Sequence, residues 1–266
     1  MAAEQARDGA RAFALETEGL DTGYGGYAVQ RNVNLKIAQG EIFVLLGGSG
    51  CGKSTVMRTL VGLQPPLRGR VRFFGETFVQ AGVEPDESPP LLRRIGVMFQ
   101  NGALFGSKTL MENCAIPFET LPARPQREID EICMEKLEAV GLAAFAGHYP
   151  SQISGGMQKR AAIARALVLD PDILFLDEPS AGLDPVTSAG LDELILEIRD
   201  RRRMTVVMVS HELASIFAIA DRAVFFDRET HSALDEGAPA ALRDGSPHEA
   251  VRAFFNRTPA PRQVER

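Results

Sequence analysis

The residues Gly47-Gly48-Ser49-Gly50-Cys51-Gly52-Lys53-Ser54-Thr55 follow the apolar run Ile42-Phe43-Val44-Leu45-Leu46 without a break. Glycines at this spacing let the backbone fold into a nest of N–H groups around an anion, and a helix opening at Lys53 aims its positive end at the same point. Lys53 adds a mobile cation. Ser54 adds a hydroxyl suited to Mg²⁺, which bridges terminal phosphate oxygens. The chemistry is phosphate binding. A ligand-free Gly-rich turn is the alternative, but a strand before the loop and a helix after it, Lys53 to Leu63 ended by Pro65-Pro66, argue against it. Cys51 reads as a small filler, and its place beside Lys53 at a helix start also predicts a depressed thiol pKa and alkylation that bound nucleotide blocks.

The elements that must hold this chemistry are legible from three further apolar runs that stop at polar residues. Ile95 to Phe99 stops at Gln100, Ile173 to Leu176 at Asp177-Glu178, and Thr205 to Val209 at Ser210-His211. Each has strand length, and helical patterns separate them, such as Leu191, Leu194, Ile195 and Ile198 after the cap Asp184-Pro185. That alternation predicts an α/β fold with a mainly parallel sheet and crossover helices. Ligands in such sheets sit beyond the carboxyl ends of the strands, so four polar strand ends converge on one phosphate chain. Taken singly, Asp-Glu-Pro is also a turn and cap, and a lone histidine also satisfies a local hydrogen bond.

Between Gln100 and Asp177 the pattern is helical, which predicts an inserted helical subdomain. Its clearest helix runs from Pro125 to Val140 with Gly141 as its stop, and Thr109 with Glu112 has capping-box spacing. Residues Gln80 to Pro90 read as a loop, and Ser246 with Glu249 as the capped start of a C-terminal helix.

The 266 residues are 45% hydrophobic and 24% charged, an ordinary globular composition. No run approaches the roughly 18 apolar residues a membrane span needs, and the first residues lack a secretory h-region, which predicts a cytoplasmic chain. Three cysteines in no CxxC pair argue against zinc and disulfides. A net charge of −6 argues against a nucleic-acid surface.

Ile153-Ser154-Gly155-Gly156-Met157-Gln158-Lys159-Arg160 opens an Ala-rich helix ended by Asp170-Pro171. Ser154 with two glycines makes a second anion nest, or a plain N-cap. With this segment ahead of Asp177, the chain resembles the ATP-binding cassette (ABC) family from about Phe13 to Asn256. The resemblance makes Tyr24 the aromatic that stacks on adenine, residues 47–55 the Walker A loop, Gln100 the Q-loop, and ISGGMQKR the signature. It makes Ile173 to Pro179 the Walker B strand, Ser180 to Asp184 the D-loop, and His211 the switch histidine.

The family implies a P-loop NTPase fold with an antiparallel β subdomain beside the core sheet. Residues 11–238 would form the ATPase domain, with its helical subdomain at about 101–170, and 239–266 a C-terminal helix and tail. It also implies a head-to-tail homodimer with two ATP molecules, each between the Walker A of one copy and the Ser154-Gly155-Gly156-Met157 nest and Asp184 of the other. Glu178 would then deprotonate the attacking water, His211 would contact the γ-phosphate, and Ser54, Gln100 and Asp177 would serve Mg²⁺. No guanine-reading Asn-Lys-x-Asp motif is present, which favours ATP.

Finer features resemble the ATPases that work with MCE-domain proteins, as in Mla-type phospholipid transport across the Gram-negative envelope. These are Gly47-Gly48, the Met98 to Phe105 segment, Met157 where glutamine is commoner, Ser210-His211-Glu212-Leu213 and Val251-Arg252-Ala253-Phe254-Phe255. The implied partners are an integral membrane permease, an MCE-domain protein and a small STAS-domain protein, at the cytoplasmic face of the inner membrane. The apolar stretch from Ala103 to Phe118 would dock the permease, with core packing as the alternative for Leu104, Phe105 and Leu110. The pair Phe254-Phe255 suggests a further docking point. An importer of amino acids or another solute shares every catalytic residue. A mechanical ABC protein acting on DNA or ribosomes fits the length and charge less well.

Overall fold

The computed structural model describes residues 13–83 and 90–258. In chain order the strands are β1 (Phe13–Tyr24), β2 (Tyr27–Val33), β3 (Lys36–Ala38), β4 (Ile42–Gly47), β5 (Arg68–Phe73), β6 (Glu76–Gln80), β7 (Ile95–Met98), β8 (Ile173–Asp177), β9 (Thr205–Val209), β10 (Arg222–Phe226) and β11 (Ala233–Gly237). The helices are α1 (Lys53–Leu60), α2 (Leu110–Ala115), α3 (Gln126–Ala139), α4 (Gly155–Leu167), α5 (Pro185–Arg202), α6 (Leu213–Ile219), α7 (Pro239–Gly245) and α8 (Glu249–Asn256).

Strands β11-β10-β4-β9-β8-β7 form one sheet in that order, parallel except for the β10–β11 edge. β4 and β9 are buried along their whole length, which is why their sequences are unbroken apolar runs. Alternation along β4 divides the core between two faces. Ile42, Val44 and Leu46 join α4, α5 and the helical segment, whereas Phe43 and Leu45 join α1 and the second sheet. That second sheet is antiparallel, in the order β2-β1-β5-β6 with β3 paired to β1. A mainly parallel core sheet with helices and a separate antiparallel sheet is the architecture that the resemblance implies.

Several boundaries move. α1 ends at Leu60 and not Leu63, because Gly62 takes a left-handed φ of 78° ahead of the prolines. β8 runs one residue further, to Asp177, and β7 stops at Met98. Gly141 stops α3 as expected, at φ 74° with its N–H on the Glu138 carbonyl. The Thr109–Glu112 capping box is present.

Ser246 does not form its expected capping box. Its hydroxyl donates to Asp235, and α8 begins at Glu249 with no side-chain cap. Phe254 and Phe255 pack on Phe225 and Phe217 of the same chain at ring separations of 5.4 and 5.6 Å, with Phe255 buried and Phe254 half-buried. Within the expected 80–90 loop, β6 takes Gln80 and a 3₁₀ turn starts at Pro90. Residues 84–89 and the tail from Pro259 lie outside the described residues, among which no helix is long and apolar enough to cross a membrane.

Candidate active site

The phosphate loop leaves β4 at Gly47, where φ is 141°. A Cβ there would lie 2.3 Å from the Phe226 carbonyl oxygen and 2.6 Å from Cys51 Sγ, so only glycine fits. Gly52, at φ 99°, opens α1 without a side-chain cap, and a Cβ on it would meet Val29 at 2.4 Å. The ammonium of Lys53 arches back to donate to the Gly47 and Gly48 carbonyls at 2.8 and 3.1 Å. Beneath the loop the buried amide of Gln30 donates to the Cys51 and Asp227 carbonyls at 2.7 and 2.8 Å. Gln30 carries no motif; its only sequence trace is a polar residue at a buried register of β2.

Cys51 corrects an expectation. Its side chain is buried, and desolvation raises the thiol pKa more than Lys53 lowers it. The thiol is therefore protonated filler beneath Gly47.

Tyr24, at the end of β1, is half exposed and accepts from Arg58 Nη1 at 2.9 Å. Hydrogen bonding to Thr55 and then to Arg58 holds its phenol below the usual range against opposing burial. Its hydroxyl is thus tied to the first turns of α1 while half of the residue stays exposed. Arg58 is a second residue that no motif announced.

Ser54, Gln100 and Asp177 share one cavity of about 260 Å³, with Arg58 and Asn101 also on its wall. β4, β9, β8 and β7 are neighbours in the sheet, and this is what brings the polar strand ends together. A hydroxyl, an amide oxygen and a carboxylate are hard oxygen donors that fit Mg²⁺. Burial, and then the charge of Glu178, push the Asp177 carboxyl above its ordinary range, so a cation here relieves a real electrostatic cost.

Glu178 sits in the left-handed region at φ 52°, a conformation that costs a non-glycine residue on the order of 1–3 kcal/mol. Its N–H donates to the Val209 carbonyl at 2.9 Å, which helps to hold it there. Its Oε2 lies 2.7 Å from His211 Nδ1, with the carboxylate side chain 12% exposed and the imidazole 62% exposed. The carboxylate is thus largely shielded from solvent and held in contact with the imidazole. Beside them Lys159 of α4 is buried, and desolvation lowers its pKa against the opposing charges of Asp177 and Glu178.

Ser154 caps α4 by accepting from the Met157 N–H at 3.3 Å, and Ser154 and Gly155 are exposed. Gly156 is buried where a Cβ would meet Thr187 at 2.5 Å. Met157 packs against the apolar core. The cavity at Ser54 draws its wall from α1, the ends of β7 and β8 and the turn after Gln100, so this second nest faces elsewhere. Asp184 caps α5 through the Val186 and Thr187 N–H groups at 3.0 and 3.1 Å.

Comparisons with known proteins identify the family of the chain. Residues 30–181 match the family model described as ABC transporter. The chain is 39% identical over 243 residues to the "Probable ribonucleotide transport ATP-binding protein mkl" of Mycobacterium leprae, covering 91% of this chain and 69% of that one. It is 35% identical over 209 residues to the intermembrane phospholipid transport system ATP-binding protein MlaF of Haemophilus influenzae, covering 79% and 78%. Among solved structures, the ATP-binding cassette MJ0796, a dimer in a post-hydrolysis state bound to ADP and Pi, superposes with a TM-score of 0.74 at 29% identity, over 84% of this chain and 98% of that one. By a family model spanning more than half its length and by its fold, the chain belongs to the ABC transporter family, as one of that family's ATP-binding, ATP-hydrolysing proteins.

Proposed function

We propose that this ATPase drives a transporter moving phospholipids or other hydrophobic molecules across the Gram-negative envelope, as a homodimer on the cytoplasmic face of the inner membrane. The observation that carries the hydrolytic part is the Glu178–His211 contact at 2.7 Å beside a phosphate loop. Glu178 takes the proton of the attacking water, and His211 keeps that carboxylate and the γ-phosphate in register. Lys53 and the loop N–H groups of residues 47–55 hold the phosphates, and Tyr24 stacks on adenine. When bound, Mg²⁺ neutralises charge on the phosphate oxygens; Ser54, Gln100 and Asp177 would hold it. The exposed nest at Ser154 to Met157 and the D-loop residue Asp184 serve the nucleotide of the partner copy.

The lipid assignment rests on the Met157-bearing signature and on the similarity to MlaF. It implies a permease, an MCE-domain protein and a STAS-domain protein as partners. Phe99 and Phe105 are exposed around the Gln100 turn, with Leu104 half-buried, and this surface receives the permease. Leu110, wholly buried, belongs to the core.

A second reading has its own support, since relatives named for methionine import and general L-amino acid transport are 40% and 33% identical. Lipid analysis and amino-acid uptake in a deletion strain separate the two. Envelope lipid defects with normal uptake support the proposal; uptake defects with a normal envelope overturn it in favour of the importer.

A further inference from the structure

Lys159 lies one turn beyond the signature nest on α4, buried and pointing away from the exposed Ser154-Gly155 surface. An ammonium has three donors and no acceptor, so a buried one must find oxygen atoms. Here Nζ donates to the Gln100 carbonyl and, at 3.3 Å, to the Glu178 carbonyl. It thereby touches the backbone of both the turn that follows β7 and the residue that follows β8.

The same helix grips that turn again. Arg165 donates to the carbonyls of Gly102 and Ala103 at 2.6 and 2.7 Å. Both residues are left-handed, at φ 70° and 48°, and a Cβ on Gly102 would come within 3.2 Å of Ala162 on α4. The turn from Gln100 to Ala103 is therefore clamped onto α4 by two cations and by close packing. One branch of this clamp, and only Lys159 supplies it, also reaches Glu178.

We infer that Lys159 is a positioning residue that links the signature nest of one copy to its own Gln100 turn and Glu178, so that the two shared nucleotide sites constrain each other through one side chain. The inference rests on the head-to-tail homodimer proposed above. In that dimer the nest at Ser154 serves the partner's nucleotide, while Gln100 and Glu178 serve the nucleotide on the same copy's phosphate loop. Movement of α4 on closing against the partner then shifts the backbone of Glu178 directly. Displacement of the Gln100–Phe105 segment by a permease reaches the same two places. A neutral donor retains part of the link, and an apolar side chain of similar length retains none.

The test uses a fused dimer within the complete transporter complex, with Glu178→Gln in copy one, so that turnover comes from Glu178 of copy two against the nest of copy one. Adding Lys159→Met to copy one should lower that turnover at least tenfold, and Lys159→Gln about threefold. The KM for ATP and the affinity for ATP at copy two should stay within twofold, because copy two keeps its own loop. Turnover unchanged by Lys159→Met, or by Lys159→Gln should the methionine variant not fold, overturns the inference. So does a parallel loss of turnover and ATP affinity at copy two in a folded protein, which marks a structural role. A fused dimer with Glu178→Gln in both copies tests the underlying reading separately: persistent turnover there removes Glu178 as the base and the link with it.

Discussion

His211 Nδ1 and Glu178 Oε2 stand 2.7 Å apart although 33 positions separate them in the chain, and the register of two parallel strands makes the contact. Asp177 pairs with Val209 across β8 and β9, so the next residue on one strand and the second on the other leave the sheet side by side. Glu178 itself lies at a left-handed φ of 52°. A shielded carboxylate beside an exposed imidazole is an arrangement for taking a proton from a water that approaches a bound phosphate.

Replacing that carboxylate by its amide keeps the shape and removes the proposed base. Glu178→Gln should lower ATP turnover in the assembled complex by about 10²–10⁴-fold while ATP binding survives. Steady-state turnover and equilibrium nucleotide binding check this together. Wild-type turnover in the variant would remove Glu178 from the mechanism.

Gly47→Ala should abolish ATP binding, because the new Cβ would sit 2.3 Å from the Phe226 carbonyl oxygen at a φ that side chains avoid. The Phe226 carbonyl belongs to β10, which pairs with β4 at this residue, so its movement would disturb the sheet. Binding of a fluorescent ATP analogue is the measurement, with Gly48→Ala, which meets no atom within 4 Å, as the comparison. Equal affinity in the two variants would contradict the packing argument.

Cys51 should be inert to alkylation. Its burial raises the thiol pKa, so little thiolate exists near neutral pH. Wild-type and Cys51→Ala proteins should lose ATPase activity at the same rate in iodoacetamide. Faster, ATP-protected inactivation of the wild type would restore the reactive thiol expected from the sequence.

The Asp184 cap predicts an acid dependence of stability. Hydrogen bonds, first from the Thr187 side chain and then from the Thr187 and Val186 N–H groups, hold its carboxyl below the ordinary value of 3.8. A depressed folded pKa gives stability that is complete above 3.8 and is lost as pH falls through the lower folded value. Asp184→Asn keeps a capping oxygen that does not titrate. Urea unfolding below this pH should therefore weaken less steeply for the variant, and parallel curves would count against the cap.

A charge on the exposed apolar surface after Gln100 should release the permease. Phe105 is 53% exposed, so Phe105→Asp leaves the fold intact, and pull-down of the permease with the ATPase reads the outcome. Leu110→Asp should instead unfold the helical segment, because Leu110 is wholly buried. Undiminished co-purification of Phe105→Asp would place the contact elsewhere.

The parts written in the sequence are those whose physics is local. A phosphate nest needs glycines at fixed spacing, a central parallel strand needs an unbroken apolar run, and Asp184 and Thr109 announce helix starts by their own hydrogen bonds. Hence β4, β8 and β9 were readable from their apolar runs, and so were the polar residues at their carboxyl ends. The antiparallel strands were readable only through family resemblance, because the burial along β1 and β5 breaks the regular alternation that marks a strand and their pairing carries register shifts.

What only the tertiary structure decided are contacts between residues far apart in the chain. Burial reversed the expectation for Cys51, and folding set Phe254 and Phe255 against Phe225 and Phe217. Gln30 under the phosphate loop and Lys159 between Gln100 and Glu178 belong to no local pattern, since each is defined by the carbonyls that folding places around it. Local chemistry fixes which side chains can act, while burial and strand order fix which of them meet, because desolvation and distance exist only once the chain has closed on itself.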